Sequence, residues 1–129
     1  MNKDLIELQR GSKATAVVIL EDNINELGHA IVMNAQIDDV HLFGRKLGDP
    51  IFKKQLEKKS KSDTLAYFVI SGICGLDNKS QNRFVGLVKD REFGGYNLPG
   101  NIIMVFTVKN REELKKMSKE LYKFCVVTF

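Results

Sequence analysis

Ile102–Val108 reads IIMVFTV, apolar on consecutive rather than alternate positions, and residues 110–123, NREELKKMSKELYK, come directly after it. A strand with one wet face alternates in polarity, so an unbroken apolar run of this length marks a strand covered on both sides, as in a parallel sheet. Residues 110–123 have helical spacing. Asn110 is placed to cap a helix, Glu113 stands three residues on, and Leu114, Met117 and Leu121 make one apolar stripe.

Working outward, four more runs have the same unbroken apolar character: 15–20 (TAVVIL), 40–43 (VHLF), 65–70 (LAYFVI) and 125–129 (CVVTF). Helical spacing recurs between them. Asp77 can cap a helix that buries Phe84, Leu87 and Val88, Asp49 and Pro50 open one carrying Phe52 and Leu56, and a further helix is expected at about 24–35. Strands alternating with helices imply parallel pairing and right-handed crossovers. The expected fold class is therefore α/β, a three-layer αβα sandwich on a mostly parallel five-stranded sheet.

The chain has 129 residues, 43% of them hydrophobic, and no internal linker or repeat divides it, so residues 1–129 are expected to form a single domain. The formal charge is 20 − 16 = +4, enough for loose association with anionic surfaces but small for a dedicated nucleic-acid arm. Cys74 and Cys125 lie in apolar runs rather than at metal-ligand spacing, which suggests buried thiols in a reducing compartment, the cytoplasm. No run is long enough to span a membrane and the first residues, MNKDLIELQRGS, lack the apolar core of a secretory signal, so no membrane partner is expected.

Ligands of open α/β sheets bind beyond the carboxyl ends of the strands, here residues 21–25, 44–45, 71–77 and 109–111. A phosphate loop needs glycine amides followed by lysine and a hydroxyl, whereas the first strand is followed by EDNINELGH, with two carboxylates and no lysine. GSKAT at 11–15 precedes that strand and reads as a turn. His29 and His41 are isolated and take no role. Asp22, Asp38, Asp39 and Asp49 could gather at strand ends around magnesium, although turn and cap positions explain them equally well, and no metal or other cofactor is assigned. Ser71-Gly72 lacks the flanking glycines of a nucleophile elbow and has no histidine downstream. Lys53, Lys54, Lys58, Lys59 and Lys61 form a basic segment that could contact nucleic-acid phosphates, without an interleaved aromatic platform for bases.

From residue 65 onward the sequence resembles the second half of an AAA-type ATPase core, the MoxR-like branch in particular. The matching features are the strand FVI, the pair Gln81-Asn82, the cluster Lys89-Asp90-Arg91, the loop Gly94-Gly95-Tyr96-Asn97-Leu98-Pro99, the strand IIMVFTV and the final LYKFCVV. The resemblance implies a P-loop-NTPase-like topology. It also implies lost catalysis. Ser71-Gly72 stands where the family has an Asp-Glu pair for magnesium and water, the phosphate loop is missing, and so is the helical lid. Asn110 falls near the family's polar sensor, and Lys123 near its arginine finger, where lysine lacks the bidentate fork.

The resulting expectation is a catalytically inactive AAA-like domain acting as a protein-interaction, regulatory or assembly module and existing as monomer or dimer. Its expected contact surface is Arg91, Phe93, Tyr96 and Leu98 in the EFGGYNLPGN loop, with the exposed side of 110–123. Two alternatives stand beside it. One is nucleic-acid association through the lysines at 53–61, and the other is a nucleotide-binding or phosphotransfer domain with an unrecognised site, for which the acidic groups near Asp22 and Asp39 are candidates.

Overall fold

The computed structural model describes residues 16–27, 29–36, 66–93, 96–97 and 102–129. Among the described residues five strands form one sheet: β1 (Ala16–Leu20), β2 (His29–Asn34), β3 (Ala66–Ser71), β6 (Ile102–Val108) and β7 (Cys125–Val127). Their order across the sheet is β2-β3-β6-β1-β7, and every pairing is parallel. The fold is α/β. Its frame puts β1 between β6 and β7 and leaves two strands between β1 and its successor β2. In the common dinucleotide-binding and flavodoxin-like orders the first strand lies beside the second, so neither order is adopted here.

Consecutive apolar residues are what such a sheet needs, because neighbouring side chains go to opposite, equally dry faces. Val18, Phe68, Ile70, Met104 and Phe106 belong to one buried cluster, completed by Phe84, Leu87, Val88, Met117 and Leu121 from the helical segments. Val17, Ile19, Tyr67, Val69, Ile103 and Val105 belong to the other, with Leu27 and the half-buried Ile24 against them. Four of the five expected strands are thus found, with Ile102–Val108 matching at both ends.

The second strand is a correction. The helix expected at about 24–35 does not form: Glu21–Leu27 is a 3-10 helix, and His29–Asn34 pairs with Ala66–Ser71 as strand β2. The run Ile31-Val32-Met33 contains β-branched residues that favour an extended pleat, and six consecutive register pairs with β3 outweigh the helical spacing of its apolar residues. The strand expected at 40–43 and the helix opened by Asp49 and Pro50 lie outside the described residues.

A second correction concerns 110–123, which is two pieces rather than one helix: a 3-10 helix, Arg111–Lys116, and a short helix α3, Lys119–Tyr122. Gln81 is the reason. Fully buried on α1 (Asn78–Asn82), it donates from Nε2 to the carbonyls of Leu76 and Lys116, both at 2.9 Å, and accepts from the Ser118 amide at 2.6 Å. Those bonds satisfy the chain where the first piece ends. Ser118 then caps α3, its Oγ accepting from the Leu121 amide at 3.1 Å while donating to Asn82 Oδ1. The apolar stripe still reaches the core, with Met117 and Leu121 buried and Leu114 packed beside them.

Asp77 caps α1 as expected, accepting from the Ser80 amide at 2.7 Å, and a turn at 83–84 leads into α2 (Val85–Lys89). The hydrogen bonds from Ser80 hold the Asp77 carboxyl below its ordinary value. Beyond α2 the chain turns at Arg91, whose φ of 54° is left-handed. It then forms a two-strand antiparallel hairpin, β4 (Glu92–Phe93) with β5 (Tyr96–Asn97). No helix among the described residues is long and apolar enough to cross a membrane.

Candidate functional site

The topology determines where a crevice opens. After β1 the chain heads toward β2 at one edge, and after β6 it passes β1 to reach β7 at the other. The two connections lie on opposite faces, since Leu27 packs with Val17 and Val105, whereas Met117 and Leu121 pack with Val18 and Phe106. Adjacent parallel strands whose continuations part in this way leave a gap at their carboxyl ends.

A polar cavity of about 450 Å³ occupies that gap. Glu21 comes after β1; Asn34 ends β2, with Gln36 just beyond it; Gly72, Cys74 and Gly75 come after β3; and Thr107 lies near the end of β6, with Lys109, Glu113 and Lys116 beyond. Three of the four strand-end segments expected to matter, 21–25, 71–77 and 109–111, therefore contribute to one crevice. Residues 44–45 lie outside the described part. Sequence reasoning misses Asn34, Gln36, Glu113 and Lys116, the first two because it expects a helix where β2 runs.

The crevice is largely occupied with its own bonds. Gln36 Nε2 donates to the Gly72 carbonyl at 2.9 Å, and the Gln36 amide donates to Asn34 Oδ1 at 2.9 Å. Gly72 has φ +73°, a left-handed turn that glycine adopts without strain, and Gly75 lies so close to the Gln36 side chain that any Cβ there would collide with it. The Gly75 and Leu76 amides donate to the carbonyls of Gly72 and Ile73, so the loop after β3 turns these donors inward rather than toward a ligand. Glu113 Oε1 accepts from the Lys109 amide at 3.3 Å, and the Glu113 amide donates to Asn110 Oδ1 at 3.0 Å. Asn110, the sensor-like position, is thus a helix cap. Among the described residues two carboxylates and two lysines line the cavity, and their formal charges cancel.

Ser71, Cys74 and Cys125 are held in unreactive states. Ser71 Oγ is buried and donates to the Met33 carbonyl at 3.4 Å. Burial pushes the Cys74 thiol up to about 11, with Glu113 raising it further and Lys116 opposing, and burial pushes Cys125 up to about 12. Both thiols stay protonated near neutrality. Labelling by a thiol-disulfide reagent at about pH 8 should be slow in the native protein and immediate on unfolding, and fast native labelling of Cys74 would contradict the packing. Because the folded values lie above the unfolded 9.0, the stability these thiols contribute is intact below about pH 9 and drains away as pH climbs toward 11 to 12.

Other predicted residues scatter. Asp22 is exposed on the 3-10 helix after β1, while Asp38, Asp39, Asp49 and the lysines at 53–61 lie outside the described residues. Among the described residues no group of three His, Cys, Asp or Glu is placed to hold a metal. His29 begins β2, at the end of the sheet opposite the crevice. Phe93 and Tyr96 pair across the hairpin, Arg91 is the half-buried turn before it, and Leu98 is outside the described part.

A second concavity lies on the outer side of 110–123. It is an apolar groove of about 470 Å³ formed by Leu114, Met117 and Tyr122 with Lys115, Lys119 and Lys123 around them. Tyr122 is 47% exposed, one of the two large hydrophobic side chains left open to solvent among the described residues. Lys123, the finger-like position, bonds Glu120 at 3.3 Å on this surface. A comparison of the chain with family models and with curated proteins finds no match.

Proposed function

We propose that this domain has the frame of an AAA-type ATPase core, has no ATPase activity of its own, and works by docking onto a protein partner. The observation that carries the reading is the exposed groove at Leu114, Met117 and Tyr122, because a domain of this size gains nothing in stability by leaving a tyrosine half open beside an apolar hollow. The loss of catalysis is supported at the opposite position. Ser71 bonds the Met33 carbonyl and Gly72 makes a turn, so neither can hold magnesium or activate water. Glu21 and Asp22 come after β1 where phosphate would need donors, and carboxylates repel it.

Two measurements test this reading together. Titration with ATP or ADP, with and without magnesium, should give no heat; binding tighter than about millimolar, near −4 kcal/mol, would return the domain to nucleotide chemistry. In cells, a photoreactive side chain placed at Lys119 should capture one discrete partner that the same group at Lys79, on α1, does not. Equal capture from both positions would mean that 110–123 is not the docking surface.

A further inference from the structure

The groove specifies the chemistry of what fills it. Leu114, Met117 and Tyr122 offer an apolar floor, and Lys115, Lys119 and Lys123 stand around it, with no carboxylate among the described lining side chains. Glu112 and Glu120 lie outside the lining and pair with Lys115 and Lys123 at 2.8 and 3.3 Å. Those pairs are weak, since the four side chains are 62 to 79% exposed and solvent screens them. A partner's carboxylates could replace Glu112 and Glu120 at little cost.

We propose that this groove receives a short acidic amphipathic segment of another protein, which seats one or two aliphatic or aromatic side chains on Leu114, Met117 and Tyr122 and sets its carboxylates against Lys115, Lys119 and Lys123. The proposal rests on the docking reading and adds the partner's chemistry to it. A second copy of this chain is disfavoured, because a symmetric contact would place lysines against lysines in a protein whose formal charge is already +4. Nucleic acid would satisfy the lysines and leave the Tyr122 ring and the partly open Leu114 wet. An acidic helix or turn carrying apolar anchors satisfies both.

The probe is a display library of random peptides about twelve residues long, selected on the full chain and counter-selected on Tyr122→Glu. Enriched sequences should carry net negative charge around one or two Leu, Ile or Phe residues. A labelled peptide from that pool should lose at least about tenfold in affinity on Lys119→Glu, and should weaken as salt rises from about 50 to 300 mM. Both substituted positions are exposed, and the control is a melting curve for each variant that matches the parent protein; Lys119→Ala serves as a second, milder variant.

Neutral or basic winners that still require Tyr122 would overturn the acidic occupant and leave the docking reading standing. Failure to enrich any Tyr122-dependent peptide would overturn the groove itself. A dimer that light scattering detects and Tyr122→Glu dissolves would give the surface to a second copy and overturn the proposal as well.

Discussion

Gln81→Leu should lower stability by about 2–4 kcal/mol, although it replaces a polar side chain in a dry site with an apolar one of similar size. Intuition about burial points the other way. Gln81 is 0% exposed, and all three of its side-chain bonds go to backbone groups: the carbonyls of Leu76 and Lys116 and the amide of Ser118. Leucine would leave those groups without their partner. Ser118 is itself 3% exposed, so its amide has no water to turn to, and a buried orphan donor costs about 1–3 kcal/mol by itself. The carbonyls lie nearer to solvent and lose less.

The expected readouts are a melting temperature lower by about 6–15 °C and loss of hydrogen-exchange protection at Ser118 and Leu121. Gln81→Glu should be no milder at neutral pH, because a carboxylate could still accept from Ser118 but could not donate to either carbonyl. A Gln81→Leu protein as stable as its parent would mean that the break at 117–118 does not depend on this side chain.

Gln81 also marks the border of what the sequence could disclose. Its neighbours are legible: Asp77 as a cap, and Phe84, Leu87 and Val88 as the buried side of the helical stretch beyond it, are local patterns of side-chain type and spacing. The break in 110–123 is not, because the cause lies 37 residues away in a glutamine that reads as an ordinary surface residue. The same holds for β2. Its residues suit a helix or a strand in isolation, and the choice is made by a register with Ala66–Ser71 that no window along the chain contains.

The candidate sites divide in the same way. Strand ends point to the crevice through Glu21, Gly72 and Lys109, because the carboxyl-end rule needs only the positions of strands. That rule cannot find Asn34 and Gln36 while their segment reads as a helix. Of the expected docking surface, Tyr96 and Phe93 fall in a hairpin, while the exposed side of 110–123 carries the groove, lined in part by Tyr122, which in sequence is one more member of a helical segment. Half exposure beside a hollow is a property of packing, invisible to spacing.

Phe106→Ala should cost about 3–5 kcal/mol, while Tyr122→Ala, removing a ring of nearly the same size sixteen positions later, should cost no more than about 0.5 kcal/mol. Phe106 is 0% exposed on the central strand, registered between Ile70 of β3 and Val18 of β1, in the cluster that also holds Phe84, Leu87, Met117 and Leu121. Neighbours on both flanks are fixed by backbone pairing, so the wall cannot collapse into the void and the cavity adds its own penalty to the lost burial. A domain with roughly 5–15 kcal/mol in total could lose half its margin. Tyr122 has 47% of its surface in water already, on the outer side of α3. Urea unfolding of the two variants should therefore move the midpoint far for Phe106→Ala and hardly at all for Tyr122→Ala, with partner capture showing the reverse. If Tyr122→Ala unfolds as early as Phe106→Ala, the ring is part of the core, and the docking surface centred on it does not exist.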